Sequence, residues 1–183
     1  MQRVVGLGAG GHSKMVIEVL RLAGKYRIIG LLDPKRELWH TQVLDTPVLG
    51  GDELLPELYD KGVRFAFIGL GSVGDTAQRR QLYDHAIGRG FQIVSAIHPK
   101  AVVSDAAQVG AAPTILALAV VSPDARLGDN VIVNTGAIIE HDCIVNSHVH
   151  VATGAVLAAS VIVGAGAHIG AGATVRQGIT ASA

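Results

Sequence analysis

The chain has 183 residues, enough for one good core or two small ones sharing an interface. Fifteen basic and fifteen acidic residues cancel, which excludes the net field that draws a protein to nucleic acid or to an anionic membrane. One cysteine, Cys143, excludes an intrachain disulfide, and no apolar run is long enough to span a bilayer, so a soluble cytoplasmic protein is expected.

The first stretch, RVVGLGAGGHSKMVIEVLRLAG, reads as a strand, a glycine-rich turn and an amphipathic helix. Gly6, Gly8 and Gly11 satisfy G-x-G-x-x-G in the strand-to-helix context where backbone N–H groups meet a phosphate. His12, just after the glycines, is placed either to contact that phosphate, to reach toward the second domain, or to cap the helix. Next come a strand at RIIGLLD, a helix at DELLPELYDKG, a strand at RFAFIGLG, a helix around TAQRRQLYDHAIGRG and a strand at FQIVSAIH. That order implies a small parallel sheet of Rossmann-like type. With Asp33 ending the second strand near where a ribose-binding acid falls, residues 1–98 suit a mononucleotide-sized pocket better than a full dinucleotide fold. His40 and His85 carry no supporting pattern, and His98 at the joint is read as structural.

The aromatics stop here. Tyr26, Trp39, Tyr59, Phe65, Phe67, Tyr83 and Phe91 all precede residue 92, so the second half of the chain must have a narrow core of small aliphatics. The expected boundary is His98–Pro99.

From Val103 every sixth residue is a branched aliphatic: Val103, Val109, Ile115, Val121, Leu127, Val133, Ile139, Val145, Val151, Leu157, Val163, Ile169 and Val175. Two residues earlier the chain is always small or medium-sized and uncharged, from Ala101 to Ala173, with Cys143 in this inward register. A period of six is neither helix nor simple strand. It is the hexapeptide repeat of a parallel β-helix, of left-handed type, with residues 99–183 winding in coils of about eighteen residues. Gly110, Gly128, Gly164 and Gly170, each directly after an aliphatic, are expected at corners that need unusual backbone angles.

One coil breaks the plain pattern. Asn134, Glu140 and Asn146 stand where other repeats carry small residues, and His141, His148 and His150 fall in outward positions. These groups are either a site or a solvated face. Residues eighteen apart stack on adjacent coils, so Ala159 lies one coil beyond His141. His150 and His168 are also one coil apart, which leaves open a metal-dependent hydratase with imidazole ligands. A nucleotide-sugar sensor without catalysis is a third reading.

The motifs GAGGHSKMVIEVL, LLD, TPVLGGDELL, GLGSVGD, IHPKAVVS and PDARLGDNVIVNTGAIIEHDC together resemble the bacterial sugar acetyltransferases of surface carbohydrate synthesis, both sialic-acid O-acetyltransferases and UDP-4-amino-sugar N-acetyltransferases. The resemblance covers nearly the whole chain. It implies a homotrimer that binds acetyl-CoA between neighbouring β-helices, with active sites at the interfaces, no metal, and a nucleotide-linked amino sugar as acceptor; a sialic-acid hydroxyl is the alternative. By the same resemblance His141 is the catalytic base, Asp142 or Glu140 its acidic neighbour, and Asn134 a motif residue near the site. His150, Ala159 and Ala171 are implied on the coenzyme side; Gly8, Gly10, Gly11, His12, Asp33 and Pro34 on the sugar side. Two departures stand out: Asp33–Pro34 replaces a pair of acids seen in UDP-sugar enzymes, and the sequence stops at GATVRQGITASA, before a further coil and closing segment that helps hold the coenzyme.

Overall fold

The computed structural model describes residues 1–182. The chain forms two compact units: residues 1–71 with 81–94, and residues 72–80 with 95–183.

In the first unit the strands are β1 (Gln2–Leu7), β2 (Tyr26–Leu32), β3 (Gln42–Val43), β4 (Thr46–Gly50), β5 (Phe65–Ile68) and β6 (Gln92–Ile93). The sheet order is β3-β4-β2-β1-β5-β6, all parallel except the β3–β4 hairpin. That hairpin is absent from the sequence expectation. The helices are α1 (Gly11–Ala23), α2 (Leu55–Asp60) and α3 (Ala77–Gly88), whose first residues belong to the second unit. Val16, Ile17, Val19 and Leu20 form the buried stripe of α1, and Gly24 ends it in a left-handed conformation (φ 65°). The core gathers Val5, Leu7, Leu32, Leu55, Ile68 and Phe91, with Tyr59 set edge-on to Phe91.

The second unit is the left-handed β-helix. Fifteen two-residue strands, β7 (Ala96–Ile97) to β21 (Thr180–Ala181), build three five-stranded parallel sheets among the described residues. Partners lie eighteen residues apart: Thr114 pairs with Ile132, Ile132 with His150, His150 with His168. The inward registers form one cluster, including Ile115, Val121, Leu127, Val133, Ile139, Cys143, Val145 and Val151. Burying these aliphatics stabilises each coil by about 1.5–3 kcal/mol per large side chain.

Two sequence expectations need correction. The strand predicted at FQIVSAIH is split: β6 joins the first sheet, while β7 pairs with β10 (Thr114–Ile115) as the first β-helix strand. The joint therefore lies at Val94–Ser95, earlier than His98–Pro99. The left-handed corner residues are not the glycines after the aliphatic. They fall three positions after it: Ala112, Leu118, Asp124, Asn130, Gly136, Asp142, His148, Gly154, Ser160, Gly166, Gly172 and Gly178. Gly128 is small for another reason: a Cβ there would come within 2.5 Å of the Ser147 backbone nitrogen on the next coil.

Candidate active site

His141 and Asp142 occupy the corner between β14 (Ile138–Ile139) and β15 (Ile144–Val145). Asp142 is in the left-handed conformation (φ 61°), and its N–H points to the Pro123 carbonyl of the preceding coil at 3.4 Å. The Ser160 N–H donates to the His141 carbonyl from the next coil at 3.0 Å. The backbone is thus fixed from both sides while the two side chains project into solvent. His141 Nδ1 lies 2.7 Å from Asp142 Oδ2. A carboxylate only accepts, so Nδ1 carries the hydrogen and Nε2 is left as the outward base. The hydrogen bond to Asp142 raises the pKa of His141; desolvation opposes it, and the charges of Asp142, Glu140 and Asp124 add to the rise. Asp124 was not singled out in the sequence, although the eighteen-residue rule stacks it beneath Asp142. Glu140 is turned toward Ser122, whose hydroxyl stands 3.5 Å from its carboxylate.

Ala159 lies one coil beyond His141, as expected. Its carbonyl accepts the Gly178 N–H at 3.1 Å, and among the described residues its own N–H has no protein acceptor. Ala171 occupies the equivalent place at a later corner and is exposed. Cys143 faces inward, its thiol donating to the Ala158 carbonyl at 3.2 Å, with burial pushing its pKa up. That environment disfavours a thiolate nucleophile.

His150 does not face solvent. It is 3 % exposed, covered by residues 72–80, which cross the outer face of the sheet containing Thr114, Ile132, His150 and His168. Its Nδ1 lies 2.7 Å from the Ser72 carbonyl and its Nε2 3.1 Å from Asn134 Nδ2. Asn134 is therefore joined to His150, and no hydrogen bond ties it to His141. The same segment adds Thr76 Oγ1 donating to the Gly166 carbonyl (2.6 Å), the Gly74 N–H donating to His168 Nδ1 (3.3 Å), and Arg79 Nη2 near Thr114 Oγ1 (3.3 Å). Arg79 is 2 % exposed, and burial lowers its pKa to about 9. His150 and His168 do stack, with ring centroids 5.0 Å apart. Among the described residues, no three His, Cys, Asp or Glu side chains cluster to hold a metal. His148 is set apart on the next corner, against Asn130 (3.1 Å).

In the first unit the glycine loop has the expected shape. Gly8 adopts φ +102°, and a Cβ on it would press on Leu70 N and Gly69. Gly6 leaves room for the Phe67 ring and Leu31. Gly10 and Gly11 have open space around them, so the start of α1 is free for a ligand. Gly10 is the N-cap and no side chain caps the helix, so His12 does not serve that role; its Cβ lies against Gly71. Asp33 is buried, with one carboxylate oxygen accepting the Ala9 N–H (2.8 Å) and the other the Lys35 N–H (2.9 Å). Its carboxylate ties the end of β2 to the glycine loop. Pro34, beside it, is exposed.

The PglD N-terminal domain family model matches residues 3–86. The acetyltransferase domain of PglB from Neisseria gonorrhoeae FA1090 is 35% identical over 100% of this chain and 86% of that chain, with a TM-score of 0.90. The chain belongs to the hexapeptide-repeat sugar acetyltransferases. The same PglB domain in complex with acetyl coenzyme A aligns on this acetyltransferase with a TM-score of 0.89, at 35% identity over 100% of this chain and 85% of that one. A mutant of perosamine N-acetyltransferase from Caulobacter crescentus, in complex with CoA and GDP-perosamine, is 32% identical over 98% of this chain and 91% of that chain (TM-score 0.83). No curated protein matches the chain.

The acetyltransferase thus brings together some of the predicted residues and separates others. His141 and Asp142 form a pair, with Glu140 adding charge; Asn134 pairs with His150. The whole β15 side of the coil separates His141 from His150. The sequence reading missed Ser72, Arg79 and Asp124. Ser72 contributes only a backbone carbonyl, a role that no residue type announces.

Proposed function

We propose that the protein transfers the acetyl group of acetyl-CoA to the amino group of a nucleotide-linked amino sugar, by direct attack with His141 as general base. The observation that carries this is the 2.7 Å His141–Asp142 pair at an exposed corner, with Nε2 bare. As the amine nitrogen forms its bond to the acetyl carbon, Nε2 takes the amine proton. The C–S bond breaks and the CoA thiolate leaves, to be protonated in turn; Asp142 stabilises the imidazolium. The Ala159 N–H is the donor for the tetrahedral oxyanion. The relatives favour an amine over a sialic-acid hydroxyl: one is a perosamine N-acetyltransferase with bound GDP-perosamine. In this reading the Gly8–His12 loop holds the nucleotide sugar at the start of α1, with UDP and GDP as the nucleotides to be compared.

The active assembly in this reading is a homotrimer in the cytoplasm. One face of the prism carries an outward column of Val102, Val120, Ile138 and Val156, with Val102 62% exposed. Such a flat apolar wall is covered by a second copy of the same chain. A site that used both His141 and His150 takes them from two copies, because one side of the triangle lies between them. Thiol release from acetyl-CoA tests the base: His141→Ala should lower kcat by about a hundredfold or more. A variant within about tenfold of the parent would refute this role.

A further inference from the structure

We propose that one edge of the first unit's sheet, where its parallel strands begin, adsorbs to a membrane surface of anionic lipid. Two residues separate the end of α1 from β2, four separate α2 from β5, and three separate α3 from β6. Such short returns bring the ends of the helices and the starts of the strands to the same edge. Seven of the ten Lys and Arg side chains of this unit lie there. Arg27, Arg3 and Arg64 stand in one row across β2, β1 and the residue before β5, since Arg3 pairs with Arg27 and Val4 with Phe65. Arg21, Lys25, Lys61 and Arg89 stand at the helix ends. The acids of the same helix ends and returns are Asp45, Glu57 and Asp60, and Glu57 is held by Lys61 at 2.5 Å. Charges that cancel over the whole chain therefore do not cancel at this edge. A helix C-terminus favours cations, which accounts for the four at the helix ends but not for the arginine row. Like charges side by side on neighbouring strands cost energy unless something offsets them. Arg3 and Arg64 donate to the Lys61 and Tyr59 carbonyls. Among the described residues, the side chains of Lys25 and Arg27 have no hydrogen-bond or ion-pair partner.

The same edge is also apolar. Met1, Leu22, Leu44 and Ile87 are the exposed large hydrophobics of this unit, 45–87% exposed, and all four lie there. Leu22 and Ile87 are in the last turns of α1 and α3. Leu44 is in the β3–β4 turn, where its carbonyl accepts from Arg21 at 2.5 Å. Aliphatic side chains set among cations fit a phase that offers phosphate at its surface and hydrocarbon just beneath, which is an anionic bilayer. A polynucleotide has the phosphates but leaves the aliphatics in water. A second copy docked on this edge would set two rows of cations against each other. The opposite edge of the sheet, with the Gly8–His12 loop, is about 20 Å away along the six residues of β1, so adsorption leaves that loop open.

Vesicle sedimentation tests this with the full chain and no substrate, so the result stands apart from the proposed function. The probes are vesicles of phosphatidylcholine alone and of phosphatidylcholine with about 30% phosphatidylglycerol. The protein should partition onto the anionic vesicles about tenfold or more better than onto the neutral ones, and about 0.5 M salt should release it. Lys25→Glu with Arg27→Glu, and separately Leu22→Ser with Leu44→Ser, should each cut that partitioning about tenfold or more, with circular dichroism unchanged. No binding to the anionic vesicles, or equal binding to both kinds, would overturn the proposal. So would loss of binding in the charge variant alone, or duplex DNA bound as well as the vesicles at equal phosphate, because either marks a surface for any polyanion. A lower sedimentation coefficient for the Leu22→Ser, Leu44→Ser protein would give the edge to a second copy and overturn it too. The two vesicle types are compared on the unsubstituted protein, so a variant that fails to fold leaves the test intact.

Discussion

Gly128 and Gly170 occupy the same place in the hexapeptide, one residue after an inward aliphatic, yet alanine should have opposite effects at the two. Neither has a left-handed φ, so backbone conformation does not separate them. Their surroundings do. A Cβ on Gly128 would stand 2.5 Å from Ser147 N, 2.6 Å from Ser147 Oγ and 2.9 Å from Asn146 C. The hydroxyl can rotate away, but the two backbone atoms belong to the neighbouring coil and move only if the coils part. Overpacking of this kind is worth about 1–3 kcal/mol, and backbone partners put Gly128→Ala in the upper half. At about 2–4 °C per kcal/mol for a chain of this size, its β-helix should melt roughly 5–10 °C below the parent. A Cβ on Gly170 meets nothing within 4 Å. Gly170→Ala should therefore gain about 0.4–1 kcal/mol by restricting the unfolded chain, raising the midpoint by roughly 1–3 °C. Far-UV circular dichroism against temperature reads both. Midpoints within about 1 °C of each other would refute the argument from inter-coil contact. Because the disturbed coil carries His141 to His150, Gly128→Ala should also lower turnover more than Gly170→Ala does.

Three further outcomes are expected. Asp142→Asn should lower kcat by about tenfold and move the rising limb of kcat/KM to lower pH, because the carboxylate holds the His141 pKa up and the base becomes neutral sooner without it; a limb that stays in place, read in a pH series, would contradict the pairing. Gly10→Leu should weaken nucleotide-sugar binding about tenfold or more in titration calorimetry and leave acetyl-CoA binding near parental, since the space around Gly10 is open in the fold and the proposed function puts the sugar nucleotide there; equal loss of both ligands would contradict that division. Ile138→Glu places a charge in the apolar column Val102–Val120–Ile138–Val156 and should dissociate the proposed trimer in sedimentation velocity, whereas a parent that sediments as a monomer would refute the assembly.

The β-helix is legible in the sequence because its rule is simple: thirteen aliphatics at a period of six fix which residues face inward, and the cluster from Ile115 to Ile169 obeys them. The same rule places His150 beside His168 and Ala159 beyond His141. It does not reveal what lies on the outside of the prism. The residues of GLGSVGD that enter the 72–80 strap look like an ordinary loop, and their contacts include a carbonyl at Ser72, with the hydroxyl of Thr76 and the buried guanidinium of Arg79 following. The β3–β4 hairpin escapes the sequence for a local reason, since Gln42–Val43 is very short and β4 holds Pro47. Glycine alone is a poor marker of the corner angles. The left-handed positions are also filled by Asp124, Asn130, Asp142 and His148, residues whose place is set by the coil.

The central claim is that this chain makes an amide from acetyl-CoA, and the product's chemistry tests it most directly. The protein is incubated with acetyl-CoA and, separately, UDP-linked amino sugars, GDP-linked amino sugars, CMP-sialic acid and free sialic acid, with thiol release followed and products weighed by mass spectrometry. The account predicts thiol release with a nucleotide-linked amino sugar, and a product carrying one added acetyl group that survives hydroxylamine, as an amide does. A product that hydroxylamine cleaves, as it would an ester, or no thiol release with any acceptor, would contradict it.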